Sequence, residues 1–321
     1  MRANDLDYEL PAELVAQQPV EPRDASRLLV FERGTGAIRH RTFAELPDEV
    51  DRRLAVVNDT RVVPARLRVG RATGGAVEVL LLERLEDGVW EALARPSRRL
   101  RVGERLRACN TLSQGTSVVL LAALDEGRWR VRLEGEPHGE VPLPPYIHEQ
   151  PRDPERYQTV YAHEPGSAAA PTAGLHFTPE LLARVDHVSV TLHVGLDTFR
   201  PLTAGTLEEH VLHGERYRVE PDAWARIESA DSVLAVGTTT TRVVETLARG
   251  GPLEGRTDLF VTPGFEFRRV DALLTNFHLP RTTLLALVMA FAGIEQTREL
   301  YGIAIRERYR FYSFGDAMLV L

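Results

Sequence analysis

Val233-Leu-Ala-Val-Gly-Thr-Thr-Thr-Thr-Arg242 decides the fold class. Val233–Val236 is a short apolar run with the length of a buried strand. Gly237 turns the chain, and Thr241–Arg249 reads as a helix. A strand that runs straight into a helix is the repeating unit of α/β proteins. The same alternation continues on both sides. Val188–His193 and Leu259–Val261 read as strands, and Ala223–Ser229 as a helix. Thr282–Ala292 reads as a helix that is apolar nearly all round. The end, Tyr309–Leu321, reads as a final strand pair. Toward the N-terminus, Arg27–Phe31 and Ile38–Phe43 read as a hairpin turned at Gly34-Thr-Gly36, and Leu54–Val57 as a buried strand. Pro11 followed by Ala-Glu-Leu-Val-Ala-Gln-Gln reads as a helix stopped at Pro19. The predicted class is α/β, a mostly parallel sheet covered by helices.

Between about residues 63 and 150 the texture changes. Pro64–Val69, Val77–Glu83, Val89–Ala94, Ser117–Leu124 and Trp129–Leu133 are short β-rich runs separated by turn residues. Such spacing predicts a small antiparallel barrel or sandwich. The Pro-rich stretch from Pro142 to Pro154 reads as its exit linker. The organisation expected is therefore discontinuous. Residues 1–62 plus 155–321 form the α/β catalytic domain, and residues 63–154 form an inserted antiparallel β-barrel domain with its linker.

Composition narrows the chemistry. The chain has 321 residues, 43% of them apolar, enough for real cores. No apolar run approaches the roughly 18 residues of a membrane span, and the N-terminus has no signal-peptide pattern. The single cysteine, Cys109, excludes an internal disulfide framework and any multi-cysteine metal site. A cytoplasmic location is expected. All 39 basic residues are arginine. Without lysine there is no lysine Schiff base, no pyridoxal phosphate anchor and no Walker-type phosphate loop. The net charge of −7 argues against a general nucleic-acid coat. An RNA partner would have to be held by a local patch and by shape.

Seven of the ten histidines lie between residues 163 and 278, several of them among glycines, prolines and threonines. Histidine trades protons near neutral pH, and turn-rich loops present such groups to substrates. Asn58-Asp-Thr-Arg61 follows a buried strand, where α/β sheets bind ligands. There Arg61 is a candidate anion anchor and Asp59 a polar contact, although a plain turn fits as well. Gly166–Phe177 is a small-residue loop that lets a backbone approach a ligand, with His176 expected at its rim. A linker with a packed histidine is the other reading. Glu209-His-Val-Leu-His-Gly-Glu215 sets His210 and His213 three apart between acids. That spacing suits acid/base work or packing, and no metal site is expected from it. Gly237-Thr-Thr-Thr-Thr-Arg242 opens a helix whose N–H groups and hydroxyls suit an anion or a ribose, or simply cap the helix. His187, ahead of a strand, reads as a solvated surface residue. Arg95-Pro-Ser-Arg-Arg-Leu-Arg101 is the densest positive patch, either a phosphate grip or a solvated face.

Together these segments resemble one family, the S-adenosylmethionine:tRNA ribosyltransferase-isomerases of queuosine biosynthesis. The resemblance runs through Tyr8-Glu-Leu-Pro11, Arg23-Asp-Ala-Ser-Arg-Leu-Leu29, Asn58-Asp-Thr-Arg-Val62 and Gly74–Leu82. It continues with Tyr157-Gln-Thr-Val-Tyr161, Ala170-Pro-Thr-Ala-Gly-Leu-His-Phe-Thr178, Thr191-Leu-His-Val-Gly195 and Val236-Gly-Thr-Thr239. It closes with Thr275-Asn-Phe-His-Leu-Pro280, Tyr309-Arg-Phe311 and Gly315-Asp-Ala-Met318. Each piece is short, but their joint order is specific. The chain departs from the pattern at Asp197, where glycine is expected, at Leu212 for methionine, and at Arg281-Thr-Thr for a Lys-Ser-Thr-like run. The stretch Arg184–Val188 is also several residues short.

The resemblance implies an α/β domain with an inserted six-stranded antiparallel barrel. It also implies a reaction. The ribosyl part of S-adenosylmethionine, a consumed co-substrate with no other cofactor, moves to 7-aminomethyl-7-deazaguanine at the wobble position of a tRNA with a GUN anticodon. The product is epoxyqueuosine, with adenine and methionine released. A base would take a proton beside the sulfonium, and an acid would help adenine leave. His176, His193, His210 and His213 are the catalytic candidates. Asn58, Asp59, Arg61, Thr172, Gly174, Thr191, Gly195, Glu209, Thr238, Thr239, Arg242, Asn276 and His278 are the substrate-binding candidates. Arg95, Arg98, Arg99 and Arg101 are the candidates for gripping tRNA phosphates. A monomer with no membrane partner is expected. The competing readings are a histidine-based nucleoside hydrolase or lyase without RNA, a metal enzyme on His193, His210 and His213, and a noncatalytic RNA-binding module.

Overall fold

A computed structural model describes residues 1–108, 115–135, 139–149, 151–195, 202, 205–207, 210 and 214–321. The chain divides into a larger unit, Met1–Thr60 with Pro144–Glu164 and Pro171–Leu321, and a smaller one, Arg61–Leu143 with Pro165–Ala170. In chain order the strands begin with β1 (Arg27–Glu32), β2 (Ala37–Thr42), β3 (Leu54–Asn58) and the short β4 (Thr60–Val62). Then come β5 (Arg66–Gly70), β6 (Ala76–Glu86), β7 (Val89–Arg95), β8 (Arg105–Ala108), β9 (Ser117–Ala123) and β10 (Arg128–Glu134). After β11 (Glu164–Ser167) follow β12 (His187–Leu192), β13 (Glu215–Arg218), β14 (Val233–Val236), β15 (Glu254–Thr257), β16 (Ala272–Asn276) and β17 (Ala317–Val320). The helices are α1 (Leu46–Glu49), α2 (Pro179–Leu182), α3 (Pro221–Ser229), α4 (Thr238–Leu247), α5 (Thr283–Ala292) and α6 (Ile294–Arg306).

The larger unit is built on a nine-stranded sheet in the order β15-β13-β12-β3-β14-β16-β17-β1-β2. β12, β3, β14 and β16 run parallel at its centre, as do β17 and β1. The remaining neighbours are antiparallel. The sheet is therefore mixed, with its parallel character concentrated in the middle. Parallel neighbours need long crossovers, whereas β1 and β2 are joined by a tight turn that permits only antiparallel pairing. The central strands β3, β14 and β16 are wholly buried, as the continuous apolar runs require. Leu28, Val57, Phe177, Leu234, Leu274 and Leu319 share one core. No helix among the described residues is long and apolar enough to cross a membrane.

The smaller unit contains a closed barrel, β10-β7-β6-β5-β8-β9. Along β10, Trp129, Val131 and Leu133 are buried while Arg130 and Arg132 are exposed. This alternation of period two is what a filled small barrel demands. The barrel strand absent from the sequence reading is β8, Arg105-Leu-Arg-Ala, which sends only Leu106 fully inward.

Three local expectations are corrected. Residues 11–18 form one 3₁₀ turn, Ala12–Leu14, not a helix. Their backbone is taken by the C-terminal segment: Ala16 donates to Phe311 O at 3.2 Å, and Phe311 donates to Leu14 O at 2.8 Å. The strand expected at 259–261 lies earlier, at β15, because the Glu254–Thr257 backbone pairs with β13. The expected terminal strand pair is one strand. Residues 309–316 instead fold into a clasp around the Asp316 carboxylate, which accepts the N–H groups of Arg27 at 3.0 Å and Arg310 at 2.7 Å. Gly315 has no room for a side chain there, since a Cβ would lie 2.5 Å from Arg310 O. The stretch 142–154, read as a linker, has its Tyr146–His148 part tied to the larger unit by Gln17.

Candidate active site

The parallel strands β12, β3, β14 and β16 deliver their carboxyl ends to one edge of the sheet, where open α/β sheets bind ligands. Asn58 ends β3 fully buried. Its Nδ2 donates to Leu192 O at 3.0 Å, and its Oδ1 accepts from Leu192 N at 3.0 Å and Thr60 N at 3.2 Å. Asn58 therefore splices β3 to β12. Asp59 accepts the Thr191 hydroxyl at 2.7 Å, and burial raises its carboxyl above the usual range. His193, just past β12, is half-buried, with Nδ1 at 2.8 Å from Thr60 Oγ1. Gly195 N donates to Glu215 Oε1 at 2.8 Å. The other Glu215 oxygen holds Arg242.

Arg242 is buried and its three guanidinium nitrogens all have protein partners: Glu215, Leu259 O at 2.9 Å and Thr257 O at 3.0 Å. It ties α4 to the edge strands. Gly237, at φ +94, turns β14 into α4. Thr240 and Thr241 direct their hydroxyls back to Val236 O and Gly237 O, while Thr238 and Thr239 are buried in the first turn.

Beside β16 a cleft opens, lined by Tyr146, Thr172, Asn276, His278, Tyr312 and Ser313 among others. His278 is buried, with Nε2 at 2.7 Å from Thr275 Oγ1. Tyr8 Oη and Tyr301 Oη fix its backbone carbonyl and N–H at 2.5 and 3.0 Å. His176 is buried too, not at a rim. Its ring stacks on Phe43 at 4.9 Å, and its nitrogens meet Ser26 Oγ at 2.8 Å and Asn276 Nδ2 at 3.2 Å. Burial lowers the pKa of both imidazoles to about 3, with Arg156, Arg310 and Arg23 adding to the shift at His176. Both are neutral at working pH and are poor proton acceptors there.

These shifts make stability depend on pH. The unfolded histidines titrate near 6.5 and the folded ones near 3, so the unfolded state binds more protons in between. Stability is expected to fall as pH drops, by about 2 kcal/mol from pH 6 to pH 5 for the two sites together. The raised carboxyls of Asp59 and Asp316 oppose this at lower pH. Urea unfolding at the two pH values checks the sign; equal midpoints would contradict it.

A model of the queuosine biosynthesis protein family matches residues 3–320. The S-adenosylmethionine:tRNA ribosyltransferase-isomerase of Moorella thermoacetica is 51% identical, with 100% of both chains covered. That of Rubrobacter xylanophilus is 53% identical over 100% of this chain and 98% of its own. This chain belongs to the S-adenosylmethionine:tRNA ribosyltransferase-isomerase family. The crystal structure of the S-adenosylmethionine tRNA ribosyltransferase of Thermotoga maritima matches with a TM-score of 0.56 and 40% identity. The match covers 99% of this chain and 100% of that one. The α/β domain with a six-stranded barrel, which the resemblance implied, is the fold observed.

Within this ribosyltransferase-isomerase the motif residues fall into distinct places. Thr172 lines the Asn276 cleft. Gly174 packs under Tyr161, where a Cβ would overlap the phenol oxygen. His210 meets Phe260, ring centroids 5.8 Å apart. His187 starts β12, half-buried and bonded to Val185 O at 2.9 Å, not a solvated residue. Arg61 lies in β4, at the start of the smaller unit. Glu209, His213, Asp197, Leu212 and Cys109 lie outside the described residues. Arg95, Arg98, Arg99 and Arg101 are exposed around the 3₁₀ turn Ser97–Arg99, whose Ser97 accepts from Trp129 Nε1 at 2.9 Å. Sequence reasoning missed Ser26, Tyr312 and Asp316. Ser26 and Asp316 stand inside quoted motifs, but nothing local marks them as neighbours of a histidine or as a clasp.

Proposed function

We propose that this enzyme transfers and isomerises the ribosyl moiety of S-adenosylmethionine onto 7-aminomethyl-7-deazaguanine at the tRNA wobble position. The product is epoxyqueuosine in tRNA, with adenine and methionine released. The similarity over the full length of relatives bearing that name carries the reading. S-adenosylmethionine is consumed and no other cofactor is used. The RNA has a GUN anticodon, and the protein works as a cytoplasmic monomer. A hydrolase acting on a small nucleoside has no support from relatives whose names include tRNA.

The sulfonium acidifies the neighbouring 5′ carbon, and a base must remove a proton there. His193, half-buried at the carboxyl edge, is assigned that work, with His210 or His213 as the second proton-transfer group. His176 and His278, held neutral, orient their neighbours instead. Asp59, Thr191, Gly195, Thr238 and Thr239 are assigned to the sugar and its amino-acid tail, and Glu209 and Arg61 are carried as the substrate-binding candidates that the resemblance implies. Thr172, Gly174, Asn276 and His278 hold a base ring. Asn58 and Arg242 brace this edge. The test is incubation with ribose-labelled S-adenosylmethionine and tRNA carrying the precursor base. Label in the RNA with equimolar free adenine is expected; adenine release with unlabelled RNA would overturn the reading.

Arg95, Arg98, Arg99 and Arg101 are assigned to tRNA phosphates. Replacing Arg98 and Arg99 with alanine is expected to reduce the slope of log affinity against log salt by about 1 for each phosphate no longer neutralised. An unchanged slope in a filter-binding titration would remove the patch from the interface.

A further inference from the structure

We propose that Asn276 accepts an exocyclic amine N–H of a purine or 7-deazapurine ring, and that Ser26 and His176 are positioning residues that hold its amide in that orientation. This deepens the proposed function and rests on it for the identity of the ring, since that reaction involves both adenine and a deazaguanine.

The orientation follows from a chain of hydrogen bonds. Ser26 Oγ donates to Arg23 O at 3.4 Å, so it is free to accept from His176 Nδ1, 2.8 Å away. His176 then carries its proton on Nδ1, and its Nε2 is a bare acceptor. Asn276 Nδ2 lies 3.2 Å from that Nε2 and 3.5 Å from the Asp316 carbonyl oxygen. Two acceptors on one side require the amide nitrogen there. Asn276 Oδ1 is buried and has no hydrogen-bond partner among the described residues. Such an orphaned acceptor is uncommon in a native interior and calls for a donor.

The cleft that Asn276 lines is where such a donor would arrive. His176 borders a small pocket on one side with Ser26 and Arg156. Asn276 lines the cleft on the other, with Tyr146, His278 and Tyr312. With its nitrogen toward the imidazole, the amide oxygen faces away from it. Tyr312, held at φ +73, sets its ring 4.8 Å from that of Tyr146, so aromatic groups border the cleft. A flat heterocycle suits such walls. An amine on its edge meets Oδ1 favourably, whereas a carbonyl there meets oxygen with oxygen.

The experiment compares paired probes by competition binding to the full chain. Adenine is set against purine, which lacks the amine. The second pair sets 7-aminomethyl-7-deazaguanine against its analogue without the 2-amino group. At least one pair is expected to show about tenfold or greater preference for the amine-bearing ring. Preference in the first pair identifies the leaving adenine, and preference in the second identifies the accepting base. Equal binding within both pairs in the unmodified protein overturns the proposal without any variant having to fold. Asn276→Leu should abolish the preference. Ser26→Ala and His176→Phe should shrink it severalfold. If those two weaken both members of a pair equally and leave the ratio unchanged, their positioning role is overturned. Ribose transfer to tRNA on the same preparation reports the proposed function separately. Transfer without amine preference sinks only this inference; amine preference without transfer sinks only the reaction.

Discussion

Replacing Arg242 with methionine is expected to remove about 3–5 kcal/mol of stability. The guanidinium and the Glu215 carboxylate are about nine-tenths buried, at 10% and 9% side-chain exposure, so solvent screens their attraction little. The variant takes the guanidinium away from the buried Glu215 carboxylate and from the carbonyls of Leu259 and Thr257. A buried charge without its partner is among the largest single-residue penalties. The double variant with Glu215→Gln is expected to recover part of the loss, because it removes the carboxylate that Arg242 faced. Urea unfolding of the three variants decides this. A loss below about 1 kcal/mol for Arg242→Met would show the pair to be dispensable. Glu215 Oε1 also receives Gly195 N, so the same variant should loosen the chain just past His193.

His193→Ala is expected to lower kcat about 10²–10⁴-fold, the usual contribution of a positioned acid/base group, with little change in folding stability. Among the described histidines at this edge, His176 and His278 are enclosed and neutral. His193 keeps partial exposure and an oriented ring, with Thr60 Oγ1 at 2.8 Å from Nδ1. Single-turnover ribose transfer measures the effect directly. A loss under tenfold would pass the proton-transfer role to another group. Thr60→Val should cost less, since it frees the ring without removing it.

Much of this architecture was legible in the chain. The continuous apolar runs of β3 and β14 read as buried strands because both faces are covered. The barrel read through its alternation, which Trp129, Val131 and Leu133 show in its simplest form. β8 escaped because one fully buried leucine between arginines makes no pattern. α6 went unassigned, although Thr297, Leu300, Tyr301 and Ala304 form a helical stripe, since Gly293 and Gly302 punctuate the segment. Residues 11–18 have helical composition, and a tertiary bridge to Phe311 overrides it.

The site was legible as motifs but not as roles. Local sequence marks His176 as a loop histidine. Its neutrality comes from burial, with Phe43 against its ring, and from the charges of Arg156, Arg310 and Arg23, all remote in sequence. Arg242 opens a helix as an anion anchor would, yet its partners lie on strands that follow or precede it by many residues. Composition alone ends at an α/β enzyme with loop-borne histidines. The ordered set of motifs supplies the reaction.

Every role assigned to these side chains requires the substrate to lie along the carboxyl edge of the sheet, from His193 past β12 to the Asn276 cleft at β16. Those strands stand three strand spacings apart, about 14 Å. A crystal structure with S-adenosylmethionine bound would show whether it does. The ribose is expected within contact distance of His193, and a ring edge against Asn276 Oδ1. Ligand density in the barrel, or at the opposite edge of the sheet with Asn276 and His193 untouched, would contradict these assignments.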